Sequence, residues 1–381
     1  MADPVNASIV EHFRTREDPR MARTKKPLLL AILVIALGTR LSGGEGFQAM
    51  ALLGQSTRAW LQTFLAWPHG SPSHDTFGRV VARLHPQRFQ ECVLAWTQAV
   101  AQRTQGALIS LDGKTVQASF DRATASSPWH MLSAWCAESG GLVVGQSKTA
   151  SQANASPAMP DLFHVLAITG CRVTSDAMGG QTASARPSRD QGGADLWAWK
   201  GNHKKADTAV KHHFHQHLAP QLAGRTAANC FAAFDASHGR TVRRRVWTIT
   251  DIAALPALAP WPSLPSVMVV ATLRRAPQQA PVTSDDRVSI SRLVRSATAF
   301  VTMIRQHWDS EQKLHGSLDV TCHEDRCRIR QDHAPENGTA ARHIARNRLR
   351  QEHSHRMSLR QKRLFCGLDE HSLLMVLSRA T

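Results

Sequence analysis

The hydrophobic pattern of this chain of 381 residues changes its period near residue 106. Upstream, apolar residues such as Phe89, Val93 and Trp96 recur every three or four positions, which predicts amphipathic helices. Downstream, short apolar runs such as residues 107–111 end at turn residues, which predicts strands. This change of period predicts an all-helical N-terminal domain followed by a mixed α/β domain.

The same pattern divides the chain into five predicted segments. The apolar run LLLAILVIAL at residues 28–37 is short for a membrane span, and we interpret it as a buried helix of the second segment. The segments are a polar basic leader (1–26), a helical domain (27–105), the first part of an α/β core (106–219), a β-rich insertion (220–295), and the remainder of the core with a basic helical tail (296–381).

The charge of the chain indicates a polyanionic partner. Lys and Arg number 46 against 29 Asp and Glu, which gives a formal net charge of +17. Nucleic acid is the usual partner of such a protein. An anionic membrane surface is the alternative, but it requires a concentrated basic amphipathic helix, whereas here the basic residues are spread over the whole chain. We therefore expect a nucleic-acid partner and no membrane.

The seven cysteines indicate neither a disulfide framework nor a zinc knuckle, because their number is odd and no CxxC occurs. Cys322 and Cys327 bracket His323 and Glu324, which resembles a metal site, but this spacing fits no common zinc pattern. A reducing cytoplasm is the simple expectation for such a chain.

A late segment, residues 304–330, has apolar residues at helical spacing and carries acid and imidazole groups. His307, Glu311 and His315 are each four apart, so an α-helix would align them along one stripe. Such a stripe is either a metal-binding or acid–base group, or an ordinary solvated His–Glu pair.

Three acidic residues stand where a catalytic site could form. Asp112 and Asp176 follow predicted strands, where open α/β sheets place their sites, and Glu311 lies on the late helix. Three converging carboxylates repel one another unless cations neutralise them, and oxygen ligands suit Mg²⁺ or Mn²⁺. Two such ions can drive phosphodiester chemistry, so a basic protein with this triad indicates a nuclease, recombinase or transposase. The alternative for each aspartate is an ordinary turn residue.

Short motifs along nearly the whole chain resemble the H-repeat-associated insertion-sequence transposases, a branch of the DDE transposases. In chain order the motifs are DPR (18–20), GSPSHDTFGRV (70–80), LDGKT (111–115), LSAW (132–135), VTSDAM (173–178), KGN (200–202), HGR (238–240), RQHW (305–308), Glu311, LH (314–315), LDV (318–320), EDRCRIR (324–330) and APEN (334–337).

The resemblance implies an RNase H-like catalytic core with a β-rich insertion, preceded by an accessory helical domain. It implies that Asp112, Asp176 and Glu311 hold the metal ions, with two Mg²⁺ or Mn²⁺ expected. The activity implied is metal-dependent cleavage of double-stranded DNA at element ends and strand transfer to target DNA, by a bacterial cytoplasmic, nucleoid-associated protein. Joining two ends also implies a homo-oligomer during the reaction.

Ten further residues are candidate DNA contacts. Some flank the triad in sequence, some lie in the insertion, and three form an alternating basic row after the late helix. They are Lys114, Lys200, Asn202, His238, Arg240, Arg305, His307, Arg326, Arg328 and Arg330.

Two alternatives to an active transposase remain open on the sequence. Gln312, Gln117 and Ala118 stand where the family usually has other residues, which favours a degraded relic that only binds DNA. The other alternative is a metal-dependent nuclease without strand transfer.

The charge generates a first prediction: binding to duplex DNA weakens steeply with salt. Each neutralised phosphate contributes a slope of about −0.9 to log K against log salt, so we expect a slope of several units. Fluorescence anisotropy with a labelled duplex over a salt series measures it. Affinity that stays constant from low to physiological salt would contradict a nucleic-acid partner.

Overall fold

The computed structural model describes residues 29–65, 67, 70–89, 106–120, 127–149, 155–166, 168–177, 180–199, 203–218, 230–237, 240–261, 263–275 and 283–378. The chain forms two units. The first unit comprises Met1–Thr104, Gly113–Gln152 and Glu311–Thr381, and the second comprises Gln105–Asp112 and Ala153–Ser310. The fold class is mixed α/β, as the pattern predicted, with a large mixed sheet in the second unit.

The first unit is built around a helix that is buried on nearly all sides, α1 (Leu29–Leu41). This is the apolar run of the sequence, and the prediction of a buried helix is confirmed. The other helices of this unit are α2 (Gly46–Ser56), α3 (Arg58–Leu61), α4 (His74–Arg83), and, later in the chain, α9 (Gly316–Val320), α10 (Ala334–Gln351), α11 (Leu359–Leu368) and α12 (Glu370–Ser378).

Helix α1 packs against α2, α10, α11 and α12, so the N-terminal and C-terminal parts of the chain share one apolar core. Among the described residues no single helix is long and apolar enough to cross a membrane. The pair α1 and α2, bent by 104°, meets the length and composition criteria only when the two are taken together.

A buried ion network joins α1 to the C-terminal helices of the same unit. Glu45, which precedes α2, accepts hydrogen bonds from Arg40 of α1 and from Arg363 of α11, the latter with Nη2 2.7 Å from Oε1. Arg342 of α10 has its Nη2 3.5 Å from Glu45 Oε2. Burial, together with the charge of Arg342, lowers the pKa of Arg40 to about 10, although Glu45 acts in the opposite direction.

The C-terminal arginines are therefore largely structural. The sequence predicts a basic helical tail, but several of its arginines are buried inside the first unit: Arg342, Arg346, Arg348 and Arg363. Arg346 shows the reason, because its guanidinium donates to the carbonyls of Gly141 (2.7 Å) and Lys313 (2.9 Å) and to Ser317 Oγ (2.6 Å). A guanidinium can remain buried when its five N–H groups find such acceptors.

A β-hairpin completes the first unit. Its strands are β2 (His130–Cys136) and β3 (Leu142–Thr149), which are paired antiparallel. The turn between them uses Gly140 and Gly141, whose φ values of 81° and 77° favour glycine. The Asn347 side chain of α10 exchanges two hydrogen bonds with the Val143 backbone, at 2.9 and 2.7 Å, and so replaces a neighbouring strand there.

The sheet of the second unit combines parallel and antiparallel strands. Strand β1 (Leu108–Thr115) passes from the second unit into the first at Asp112, and its first residues pair in parallel with β4. The strand order is β1-β4-β5-β9-β8-β7-β6, where β4 is Arg172–Ser175, β5 is Ala194–Ala198, β6 is Cys230–Ser237, β7 is Arg240–Ile249, β8 is Ser266–Arg275 and β9 is Thr283–Ser291.

The predicted β-rich region supplies the four antiparallel strands β6 to β9. They are not a separate layer, because β9 pairs with β5 and so extends the sheet that contains β4. The helices of this unit are α5 (Ala155–Val165), α6 (Thr182–Asp190), α7 (Lys204–His213) and α8 (Ala297–Asp309). Helix α8 covers one face, where Phe300 and Met303 pack against Val246 and Met268.

The late helix is not continuous. Helix α8 ends at Asp309, a π-helical segment runs from Ser310 to His315, and α9 follows. The continuous α-helix predicted for this segment is therefore wrong, and the stripe of His307, Glu311 and His315 that was derived from it stays a prediction. His307 is buried, Glu311 is exposed and His315 is half-buried.

Candidate functional site

The two aspartates are positioned by neighbouring parallel strands. Leu111 of β1 pairs with Ser175 of β4, and Asp112 and Asp176 are the next residues on each chain segment. Strand β1 continues to Thr115, so Asp112 lies within the strand rather than at its end as predicted. It is nevertheless the first residue of β1 beyond the part that pairs with β4. Asp112 is 7% exposed and Asp176 is half-buried.

A ladder of polar side chains leads from the sheet to α8. Because alternate residues of a strand share a face, Ser110 lies on the same side of β1 as Asp112. Thr174, the partner of Ser110, donates to Ser110 Oγ (3.2 Å) and lies 3.1 Å from His307 Nδ1. His307 is thus fixed inside the second unit, and its expected role as a DNA contact stays a prediction.

Ser310 brings the end of α8 to the first aspartate. Its buried hydroxyl lies 3.0 Å from Asp112 Oδ2 and 2.6 Å from the His307 carbonyl. No sequence pattern distinguishes this serine beyond its place before Glu311. Its hydrogen bond fixes the rotamer of a nearly buried carboxylate, which is the role of a positioning residue.

Glu311, the third predicted ligand, begins the last segment of the first unit and has an exposed side chain. In the part of the chain that the structure describes, no group of three or more His, Cys, Asp or Glu side chains is arranged to hold a metal ion. The oxygen donors of the three predicted ligands are of the kind that Mg²⁺ and Mn²⁺ prefer, so the residues fit such ions by their chemistry.

Lys114, two residues after Asp112, is surrounded by acids of the first unit. Its Nζ donates to Asp325 Oδ1 (2.8 Å), to Glu324 Oε2 (3.0 Å) and to Asp319. Burial acts to lower the pKa of Lys114, but the charge of Glu324 and the hydrogen bonds of Asp319 and Asp325 outweigh it and raise the pKa. The lysine expected to contact phosphate is thus already held by three carboxylates.

The alternating basic row is on the surface of the first unit. Arg326, Arg328 and Arg330 are exposed, whereas the intervening Cys327 and Ile329 are half-buried. The guanidinium of Arg330 lies 5.3 Å from the centre of the Phe120 ring. Their expected DNA contacts stay predictions.

Some of the remaining candidate DNA contacts lie within the described residues and others lie outside them. Arg305 is exposed on α8, and Arg240 is the first residue of β7. Lys200, Asn202 and His238 lie outside the described residues. Sequence reasoning missed Trp308, whose ring has the guanidinium carbons of Arg244 and Arg287 each 5.5 Å from its centre.

Comparison with known proteins identifies the family. Residues 103–348 match the model described as "Transposase DDE domain", and residues 10–97 match the one described as "DDE_Tnp_1-associated". Two Escherichia coli (strain K12) proteins, "H repeat-associated putative transposase YhhI" and "Putative protein YbfL", are each 31% identical over 374 residues, 97% of either chain. The chain therefore belongs to the DDE transposase family, and within it resembles the H-repeat-associated proteins.

This membership confirms the resemblance inferred from the motifs and makes the protein a transposase by class, a nucleic-acid-processing enzyme. Members of the family generally use divalent metal ions and bind DNA. A solved structure, the piggyBac transposase synaptic complex with hairpin DNA, is 11% identical to this chain and superposes with a TM-score of 0.41. The match covers 98% of this chain and 76% of the piggyBac chain. That score is too low to argue for a shared fold.

The Lys114 cluster generates a prediction on pH-dependent stability. Lys114→Met leaves three neighbouring carboxylates without their cation, and we expect a loss of about 3 kcal/mol in unfolding free energy at pH 7. Burial already raises the pKa of Asp319, and without Lys114 it rises further. A raised folded pKa means that stability is recovered as pH falls, so the loss should shrink between pH 7 and pH 4.

Urea unfolding of the wild type and the variant at several pH values measures this difference. Arg360→Met, which removes an exposed cation of the same unit, is the matched control and should change stability little at any pH. A Lys114→Met deficit that stays constant with pH would contradict the proposed electrostatic role.

Proposed function

We propose that this protein cleaves DNA at the ends of an insertion sequence and joins the freed ends to target DNA, with Asp112, Asp176 and Glu311 as its metal ligands. The observation that supports this most is the register of β1 and β4, which makes Asp112 and Asp176 neighbours on one sheet. Ser310, bonded to Asp112, is followed directly in the chain by Glu311.

The core in this proposal is RNase H-like. Two observations around β1 support this. The first half of β1 pairs in parallel with β4. After β1 ends, the Val116 backbone N–H donates to the carbonyl of Trp129, just before β2 begins. Acidic residues at the carboxyl ends of parallel strands are a general arrangement for sites in α/β proteins.

In this mechanism the protein residues hold the metal ions and orient the carboxylates that bind them. Asp112 presents one oxygen to Ser310, which leaves its carboxylate in a fixed orientation, and Asp176 follows β4 with its side chain half-buried. The chemistry that two bound Mg²⁺ or Mn²⁺ ions supply is activation of the attacking hydroxyl and stabilisation of the leaving oxygen. Water serves as nucleophile in cleavage and the freed 3′-hydroxyl in strand transfer, and both are in-line displacements at phosphorus.

DNA binding in this proposal comes from the exposed cations. The formal net charge of +17 includes buried arginines, so the exposed row of Arg326, Arg328 and Arg330 and the exposed Arg305 are the cations considered first. The partners proposed are double-stranded terminal repeats and target DNA, and a second copy of the protein when two ends are held together. A DNA substrate also places the protein with the bacterial nucleoid in the cytoplasm.

The triad generates a prediction on activity. Glu311→Gln keeps the size and helix propensity of the residue but removes its charge, so cleavage of DNA that carries the element ends should be abolished. Binding should remain within about twofold, because affinity depends mainly on distributed arginine and lysine contacts. Gel analysis of cleavage with Mg²⁺ or Mn²⁺, alongside anisotropy for binding, measures both quantities.

Asp190→Asn, which alters an exposed acid at the end of α6, is the control and should cleave like the wild type. We expect Ca²⁺ to support little cleavage because its coordination is larger and looser. Equal cleavage by Glu311→Gln and the wild type would exclude Glu311 as a ligand. A wild type that binds DNA but is inert with every ion would favour the degraded relic.

Ser310 generates a second prediction. Ser310→Ala removes the hydrogen bond to Asp112, so the metal concentration needed for half-maximal cleavage should rise about tenfold or more, with DNA binding unchanged. A Mg²⁺ titration of the cleavage rate measures the shift. Thr302→Ala, on the exposed side of the same helix, is the control. An unaltered metal requirement would show that Ser310 has no positioning role.

A further inference from the structure

One face of the second unit's sheet is buried at one end and exposed at the other. Residues paired across antiparallel strands share a face, so the register places Phe234, Arg243 and Leu273 side by side. Arg245 lies two residues further along β7, and Arg275 two residues beyond Leu273 on β8, so both are on this face. We call these five residues the arginine–phenylalanine face.

The arginine–phenylalanine face continues a buried core. Further along the same face, Trp247 is buried, and its ring lies 4.6 Å from that of Phe214, which follows α7. Beyond this contact the exposure rises, because Phe234 is 67% exposed and Leu273 is 44% exposed. Two large apolar side chains on the open end of a strand surface are thus accessible to a partner.

The charges on the arginine–phenylalanine face indicate the kind of partner that it binds. Arg243, Arg245 and Arg275 are exposed, and within the described part of the chain none of them forms an ion pair with an acidic side chain. A second copy of the same face would bring three arginines against three arginines, which is unfavourable. A polyanion with flat apolar groups satisfies both the guanidinium groups and the aromatic ring.

We propose that the arginine–phenylalanine face binds single-stranded DNA, with Phe234 stacked on an unpaired base and Arg243, Arg245 and Arg275 on the phosphates. An aromatic ring on an open sheet surface beside cations is the arrangement that binds unpaired bases without strong sequence preference. The inference rests on the proposed function, because a cleaved strand has a free end that can leave the duplex. The face would hold a strand that has left the duplex.

The first test separates stacking from charge. Anisotropy is measured with a labelled single-stranded oligonucleotide, a blunt duplex and a duplex with a 3′ overhang. Phe234→Ala should weaken single-strand and overhang binding about fivefold or more, and blunt-duplex binding by less than about twofold. Phe234→Trp should bind the single strand like the wild type, because it keeps an aromatic ring that stacks on a base. Leu52→Ala, which removes a side chain that is 66% exposed in the first unit, is the control and should bind like the wild type.

The second test counts the charges. The triple change Arg243→Gln, Arg245→Gln and Arg275→Gln should reduce the magnitude of the salt slope for the single strand by about 2, since each phosphate contributes about 0.7. The control removes three other exposed arginines of the same unit, Arg186, Arg189 and Arg295, and should alter the slope less.

Three results would overturn the inference. The first is equal single-strand binding by Phe234→Ala and the wild type. The second is an equal reduction of the salt slope by the two triple variants. The third is a wild-type dimer in sedimentation that Phe234→Ala dissociates, which would make the face a self-association surface. Each of these leaves cleavage and its dependence on Glu311 intact. Failure of the proposed function is distinguishable, because it appears as loss of cleavage, or of all DNA binding, in the wild type itself.

Discussion

The parallel pairing of β1 with β4 is the constraint on which the candidate site depends. It sets Leu111 opposite Ser175, and therefore Asp112 and Asp176 leave the paired region at the same level. The alternation of strand side chains then turns Ser110, Asp112 and Thr174 toward α8. A slip of one residue in either strand would move its polar side chains to the opposite face and separate them from His307 and Ser310. The register thus fixes both the proposed ligands and the groups that support them.

Much of this arrangement could be predicted from the sequence, because strand ends and turn residues are local signals. The strand before Asp176 and the β-rich character of residues 220–295 were predicted, whereas β1 runs on to Thr115 instead of ending before Asp112. The break in the late helix was not predicted, since apolar spacing alone does not distinguish an α-helix from a helix with a π-helical segment. The serine at the start of that segment was missed for the same reason.

Contacts between distant parts of the chain could not be predicted from local sequence patterns. Lys114 meets its three acids across more than two hundred residues, so nothing in its neighbourhood distinguished a buried ion cluster from a phosphate contact. The C-terminal arginines were likewise predicted as an accessible basic tail. Their burial depends on Glu45 and on backbone carbonyls, such as that of Gly141, which only the folded first unit brings to them. Composition counts these charges but cannot locate them.

The location of charge bears directly on the proposed function. A buried arginine that is satisfied by carbonyls and a carboxylate contributes to stability and to the long-range field, but it cannot contact a phosphate. The exposed cations that our proposals assign to DNA include the row of Arg326, Arg328 and Arg330 in the first unit and the exposed end of the sheet in the second. In the second unit, Ser310 is buried against Asp112, while the next residue in the chain, Glu311, is exposed. In the proposed function these consecutive residues have two tasks, since Ser310 orients Asp112 from inside the fold while Glu311 stays accessible to an ion and its DNA.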